Sequence, residues 1–458
     1  MFEMLKKTLS RFMSDYGVLA ALLLLCGYFS WVTREEQHLN GIAGAEQLAR
    51  QISRQYDRLA AVLIVARDSE EDVKFADAMR ERLAAAGFSP YPPVKGQPLD
   101  ARKGLEEIGK SARRLDVIAC NHVTASWALF EDLPNLSKQH PGLANAIVLT
   151  PRSYWWPSFL TAGNLLNVAN QIVVIAILAI GMTMVIITGG IDLSVGSLIA
   201  LSAVAATLLI RDVAGAERAG AVGMVFCCLA GIVVCAVMGL FSGLMVTIFA
   251  IPPFIVTLGM MLVASGLAYI LAEGQSIYQV PDSFVWLGRG TDLLGIPNAV
   301  ALMVILYAAA HFMMSRLRMG RYIYAVGGNR EAARLSGVSV RRVLLFVYTI
   351  CASLAGLGGI VTASQLKSGS PTYGLMYELY TIAAVVVGGT SLAGGEGKIL
   401  GTLLGAFLIA VIQNGMNLTG VESYTQKVVL GMVILGAVLL DMLKKRDWRI
   451  FKRARFQQ

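Results

Sequence analysis

The chain has 458 residues, 56 % of them hydrophobic and only 15 % charged, with a net charge of +9. Soluble domains carry about a quarter charged residues, so this deficit excludes an ordinary soluble fold and points to lipid. The positive charge sits in the residues up to Asp15 (+1), in Ser315–Arg342 (+6) and in the tail from Asp441 (+5), with −3 elsewhere; Lys and Arg gather on the cytoplasmic side of membrane proteins, so no nucleic acid is needed to explain it.

In chain order, a short basic head precedes an apolar run at 17–33. No small-residue cleavage site follows, so it reads as a retained span and not as a signal peptide. Residues 34–157 are rich in charge and end in Tyr154-Trp155-Trp156, an aromatic cluster of the kind found at membrane interfaces. With the N-terminus inside, this segment lies outside. Glu35–Tyr56 reads as a helix with a polar face. Leu59–Ala66 reads as a buried strand, and Asp68 or Ser69 caps a helix that ends at Gly87. Phe88–Val94, with three prolines, reads as an edge strand. A second helix follows with Leu105, Ile108 and Ala112 on one face, then strands at Leu115–Cys120 and Ala146–Thr150. This alternation predicts a parallel sheet covered by helices. Ligands of such sheets sit beyond the carboxyl ends of the strands, which makes Asp68, Asn121 and His122 candidates for a small-molecule or partner surface. Ordinary loop polarity would give the same pattern. No dinucleotide fingerprint follows the first strand.

From 158 to 441 apolar runs of about 20 residues recur, each long enough to cross a hydrocarbon core of roughly 30 Å. With the first run they make about ten spans: 17–33, 164–188, 193–210, 221–248, 253–272, 296–315, 341–364, 377–393, 398–418 and 425–441. The run 193–210 also admits a re-entrant or broken helix instead of a full crossing. The fold class is therefore an all-α polytopic membrane protein with an inserted extracytoplasmic α/β domain. Its expected parts are 1–33, 34–157, 158–441 and a basic cytoplasmic tail at 442–458, both termini inside.

Two glycines and an acid interrupt the apolar pattern at Thr188-Gly189-Gly190-Ile191-Asp192-Leu193-Ser194-Val195-Gly196. An ionisable residue at membrane depth is costly and marks a site, and broken helices line polar pathways. Gly189, Gly190, Asp192 and Ser194 are thus pathway candidates, although Asp192 also suits the cap of the next helix. Asn167, Asn170, Gln171 and Asn414 offer hydrogen-bond partners for a polar solute, or for neighbouring helices. Gly388–Gly397, Gly239/Gly243 and Gly401/Gly405 favour close helix packing, within the chain or between copies.

Between the spans at 296–315 and 341–364 lies a basic loop with its own helix formers. Asn329 is a plausible cap, Arg330, Glu331, Ala332, Ala333, Arg334, Leu335 and Ser336 follow, and Gly337 is the stop. Such a loop suits docking to a cytoplasmic partner. The chain has no phosphate-binding loop: near Gly394–Lys398 the required Ser/Thr is Ile399. It should not hydrolyse ATP by itself. Five of its six cysteines lie in apolar spans, its four histidines are scattered, and neither a metal site nor any other cofactor is expected.

Four stretches resemble the membrane permease subunit of ribose-type ABC monosaccharide importers: Thr188–Gly196, Met319–Tyr324, Gly327–Gly337 and Ala384–Gly397. Their order and spacing agree from about Ser158 to Asp441. The resemblance implies a bacterial inner-membrane protein that performs no chemistry and acts as a homodimer. Its partners would be ATP-binding subunits and an external sugar-binding protein. Asn329–Ser336 would be the coupling helix that docks on the ATP-binding subunit. The departure is the module at 34–157, where the family has only a short linker; its strand–helix rhythm is similar to one lobe of a sugar-binding protein. Two readings of function follow, a permease subunit for a monosaccharide or similar solute, or a membrane receptor whose external module binds a ligand and whose body signals to a partner. The module could also serve as a docking collar.

Overall fold

The computed structural model describes residues 2–111, 114–292, 295–436 and 438–439, with side chains described from Gly17 onward. The expected tail at 442–458 and Ala112 lie outside them. The chain divides into two compact units, Arg34–Ser158 and the remainder.

The first helix, α1 (Phe2–Val32), leads to the smaller unit. There the elements are β1 (Arg34–Gln37), α2 (Gly41–Gln55), β2 (Val62–Ala66), α3 (Glu70–Ala85), β3 (Val94–Lys95), α4 (Pro98–Lys110) and β4 (Val117–Cys120). Three short helices follow, α5 (His122–Ala125), α6 (Ala128–Glu131) and α7 (Leu133–Gln139), then β5 (Ile147–Leu149) and β6 (Tyr154–Pro157). Strands β3-β2-β4-β5 form a sheet in that order with every pairing parallel. Val62–Ala66 is buried along its whole length because helices cover both faces, which is why it reads as a continuous apolar run. The proline-rich stretch yields only the two-residue edge strand β3. Ser69 caps α3 by accepting from the Asp72 amide, and Phe75, Ala76, Met79 and Leu83 form the buried face.

One expectation fails at the start of this unit. Arg34–Gln37 is not helical; it pairs antiparallel with Tyr154–Pro157, Arg34 opposite Pro157 and Gln37 opposite Tyr154. The aromatic strand that draws it into extended form lies about 120 residues away, out of reach of any local pattern.

The larger unit is helical: α8 (Ala162–Ile187), α9 (Val195–Asp212), α10 (Ala221–Ile248), α11 (Pro253–Leu271), α12 (Trp286–Arg289), α13 (Asn298–Arg316), α14 (Arg318–Gly328), α15 (Arg330–Leu335), α16 (Val340–Leu366), α17 (Tyr377–Val387) and α18 (Ile399–Leu418), with a further helix over 423–436. Among the described residues seven of these are long and apolar enough to cross a membrane: α8, α9, α10, α11, α13, α16 and α18. Gly17–Val32 and α17 are shorter apolar helices. The expected span at 377–393 stops at Val387, where Gly388 and Gly389 turn the chain; 425–441 runs past the described residues.

Burial separates these helices although all are apolar. In α8, 89 % of the most apolar window is buried, against 28 % in α10 and α11. α8 is the central post, and α10 and α11 leave Phe226, Val233, Leu262 and Ile270 uncovered, open to lipid or to another chain. Small residues set the closest contacts. Gly239 and Gly243 of α10 face Tyr348, Ala352 and Leu345 of α16, and Gly401 and Gly405 of α18 face Gly388 and Ala384. Both pairs are used inside one chain.

Candidate functional site

The short helix α15 is built by its ends. Asn329, in extended conformation, accepts from the Ala332 amide at 3.0 Å. At the other end Gly337 takes φ +82°, and the amides of Gly337 and Val338 donate to the carbonyls of Arg334 and Ala333. Positive φ costs glycine least, which lets it end the helix. Ala333 is the buried residue of this helix. Glu331 and Arg334 pair at 2.8 Å with both side chains mostly exposed, and Leu335 is 83 % exposed. A six-residue helix thus turns two charges and one large apolar side chain outward.

Its inner side meets the end of α8. Arg330 Nη2 donates to the Thr188 carbonyl at 3.0 Å, satisfying one of the carbonyls that every helix C-terminus leaves open. The Gly395 amide donates to the Ile187 carbonyl at 2.8 Å. Tyr324 Oη of α14 donates to the Gly397 carbonyl at 2.8 Å. A Cβ at Gly327 would collide with the Ile187 carbonyl oxygen and approach Gly395 N to 2.8 Å. All four of the stretches quoted above therefore join at one end of the helical unit, through two side-chain bonds and direct backbone contact.

The stretch after α8 packs into the same region. Asp192 is buried, and its Oδ1 accepts from Ser194 N (2.9 Å) and Ser194 Oγ (2.6 Å). The Ile191 carbonyl accepts from Thr257 Oγ1 of α11 at 3.1 Å. A Cβ at Gly190 would collide with Tyr348 Oη, and Gly189 takes φ +75°.

The remaining pathway candidates stand at the opposite end of α8. From Asn170 to Gly189 the helix rises about 28 Å, so the two groups do not share one site. Asn167 and Gln171 are exposed. Asn170 accepts from Gln365 Nε2 at 3.3 Å. Asn414 exchanges amide hydrogen bonds with Asn164 at 2.9 and 3.0 Å, tying α18 to α8. The amide-rich segment could be read from the sequence; the partners across helices could not.

In the smaller unit, Asp68 is exposed and lines a hollow of about 640 Å³ at the strand ends, beside Arg67, Gln97 and Trp127. Asn121 is buried and accepts from Thr124 N and Oγ1, both at 2.8 Å. The exposed His122 ring stacks on His38 with centroids 3.4 Å apart. Beside Asn121, Asp72 takes Arg67 Nε at 2.6 Å. Burial pushes the Asp72 carboxyl up, but hydrogen bonds from Arg67 and Asn121 and the guanidinium charge outweigh it and hold the group below the usual carboxylate range.

Residues 164–438, which begin after this smaller unit, match the family described as branched-chain amino acid transport system / permease component. The chain belongs to this permease family. It is 44 % identical over 315 residues to the ribose import permease protein RbsC of Escherichia coli K12, covering 68 % of this chain and 95 % of that protein. RbsC of Bacillus subtilis is 42 % identical over 311 residues, with 68 % and 94 % covered. The D-allose transport system permease protein AlsC of Escherichia coli K12 is 34 % identical over 285 residues, with 62 % and 85 % covered. No solved structure matches the chain. The permease is thus a multi-pass membrane protein whose relatives are transport subunits, and the junction of α15 with α8 lies within the family's matched residues.

Proposed function

We propose that this permease is the membrane subunit of an ATP-driven importer and forms the translocation pathway for a monosaccharide or similar small polar solute. The relatives named for ribose and allose support the solute class. The observation that carries the coupling arrangement is α15: one buried alanine seats it, Arg330 ties it to the end of α8, and Glu331, Arg334 and Leu335 face outward. In this reading Asn329–Ser336 docks on an ATP-binding subunit, two copies of the chain work as a homodimer, and an external sugar-binding protein delivers the solute. Charge distribution supports an inner-membrane orientation with both ends cytoplasmic and the α/β unit, expected at 34–157, outside. The bond from Arg330 to Thr188 would carry movement of α15 to the stretch holding Gly189, Gly190, Asp192 and Ser194.

Replacing Glu331 and Arg334 together by Ala is expected to reduce co-purification of the ATP-binding subunit without unfolding the permease. Undiminished yield of the complex would count against the docking role. Uptake by vesicles with and without the ATP-binding subunit tests the energy source.

A further inference from the structure

The segment joining α16 to α17 turns back into the helical unit. A Cβ at Gly369 would strike Thr207 and the Ala203 carbonyl, and one at Gly374 would strike the Gly196 carbonyl and Ile199. Residues 369–374 therefore run antiparallel along α9 toward its first turn. Ile199 also neighbours Gly358 and Gly359 of α16, and Gly358 meets Val174 and Leu178 near the middle of α8. The first turns of α9 and α17 thus meet about halfway along the central post. Gly374 (φ +74°) and Met376 (φ +70°) make the bend.

Glu378, in the first turn of α17, lies over Gly196, where a Cβ would collide with its Oε2. Among the described residues no cation pairs with this half-buried carboxylate. Beside it is a cavity of about 200 Å³ whose polar lining is Ser197, Ser265, Tyr269, Thr372, Tyr373 and Glu378 and whose apolar lining includes the exposed Leu262 and Leu375. An unpaired carboxylate at this depth is expensive unless it serves a solute, and paired helix breaks near mid-depth are where transporters hold their cargo. Ligand cavities for drug-sized molecules span about 300–1,000 Å³; this one suits a single sugar ring. A carboxylate can accept from two neighbouring sugar hydroxyls, serine and threonine hydroxyls can donate or accept, and a tyrosine ring can offer an apolar face to the C–H side of a sugar ring.

We infer that this cavity is a monosaccharide subsite of the pathway, with Glu378 as its principal hydrogen-bond acceptor. The inference rests on the transport reading above. The full permease is reconstituted in liposomes with its ATP-binding subunit and binding protein, and uptake of radiolabelled ribose, allose and other monosaccharides is measured. Glu378→Gln is expected to lower uptake of the transported sugar about tenfold or more, the loss of a charge-assisted bond, while complex assembly and ATP hydrolysis persist. Ser265→Cys is expected to react with a small methanethiosulfonate reagent, read at that residue by mass spectrometry, and to be shielded by the transported sugar. Unchanged uptake by Glu378→Gln, or labelling of Ser265→Cys indifferent to sugar, overturns the subsite and leaves transport standing. A wild-type complex that takes up no monosaccharide overturns the transport reading and the subsite with it.

Discussion

Single atoms decide two of the contacts described here. Gly327 faces the Ile187 carbonyl with no flexible side chain between them, whereas nothing lies within 4 Å of a Cβ at Gly328. Gly327→Ala is expected to cost about 1–3 kcal/mol, the usual toll of overpacking, and Gly328→Ala to change stability by less than about 0.5 kcal/mol. Thermal unfolding of the two variants in detergent separates them; equal midpoints would refute the close packing. Asp72 is the second case. Its folded pKa is depressed, so the stability it contributes is complete above the unfolded value of about 3.9 and is lost as pH falls through the lower folded value. Asp72→Asn is expected to cost about 2 kcal/mol at neutral pH and to flatten the acid side of the stability profile, followed by hydrogen exchange in β2 and β4. A variant with the wild-type acid profile would show that the pair with Arg67 contributes nothing.

Among elements, α15 depends most on its cap, since a helix of six residues has little else to hold it. Asn329→Ala is expected to cost about 1 kcal/mol, to raise exchange of the amides between Arg330 and Leu335, and to lower sugar-stimulated ATP hydrolysis in the reconstituted complex; unaltered protection of those amides would contradict it. The sequence made this helix legible because its start, its formers and its stop are neighbours. The rhythm of β2, α3 and β4 was legible for the same reason, and the seven long spans by length and composition. What stayed hidden is what lies between distant residues: the pairing of Arg34–Gln37 with Tyr154–Pro157, the amide exchange of Asn164 with Asn414, the bond from Arg330 to Thr188. Glu378 left a faint trace, an acid inside an apolar run, but the cavity beside it depends on α9 and α11 as well.

For the whole molecule, the pairing of β1 with β6 places Arg34 opposite Pro157, and Thr33 Oγ1 accepts from the Phe159 amide at 3.2 Å. The chain leaves the helical unit and returns to it at neighbouring points. The family match begins at 164, and the α/β unit has apolar clusters of its own. Replacing 35–157 with a short flexible linker is therefore expected to preserve folding of the helical unit, measured by thermal unfolding and by co-purification of the ATP-binding subunit; loss of both would show that the unit is an integral part of the body. The junction of Ile187, Gly327 and Gly395 has a mechanical consequence. Rotamer changes absorb small displacements where side chains meet, but here main chain bears on main chain. A hinge built this way has no play, so even a sub-ångström shift at the end of α14 must displace the foot of α8 or break the joint.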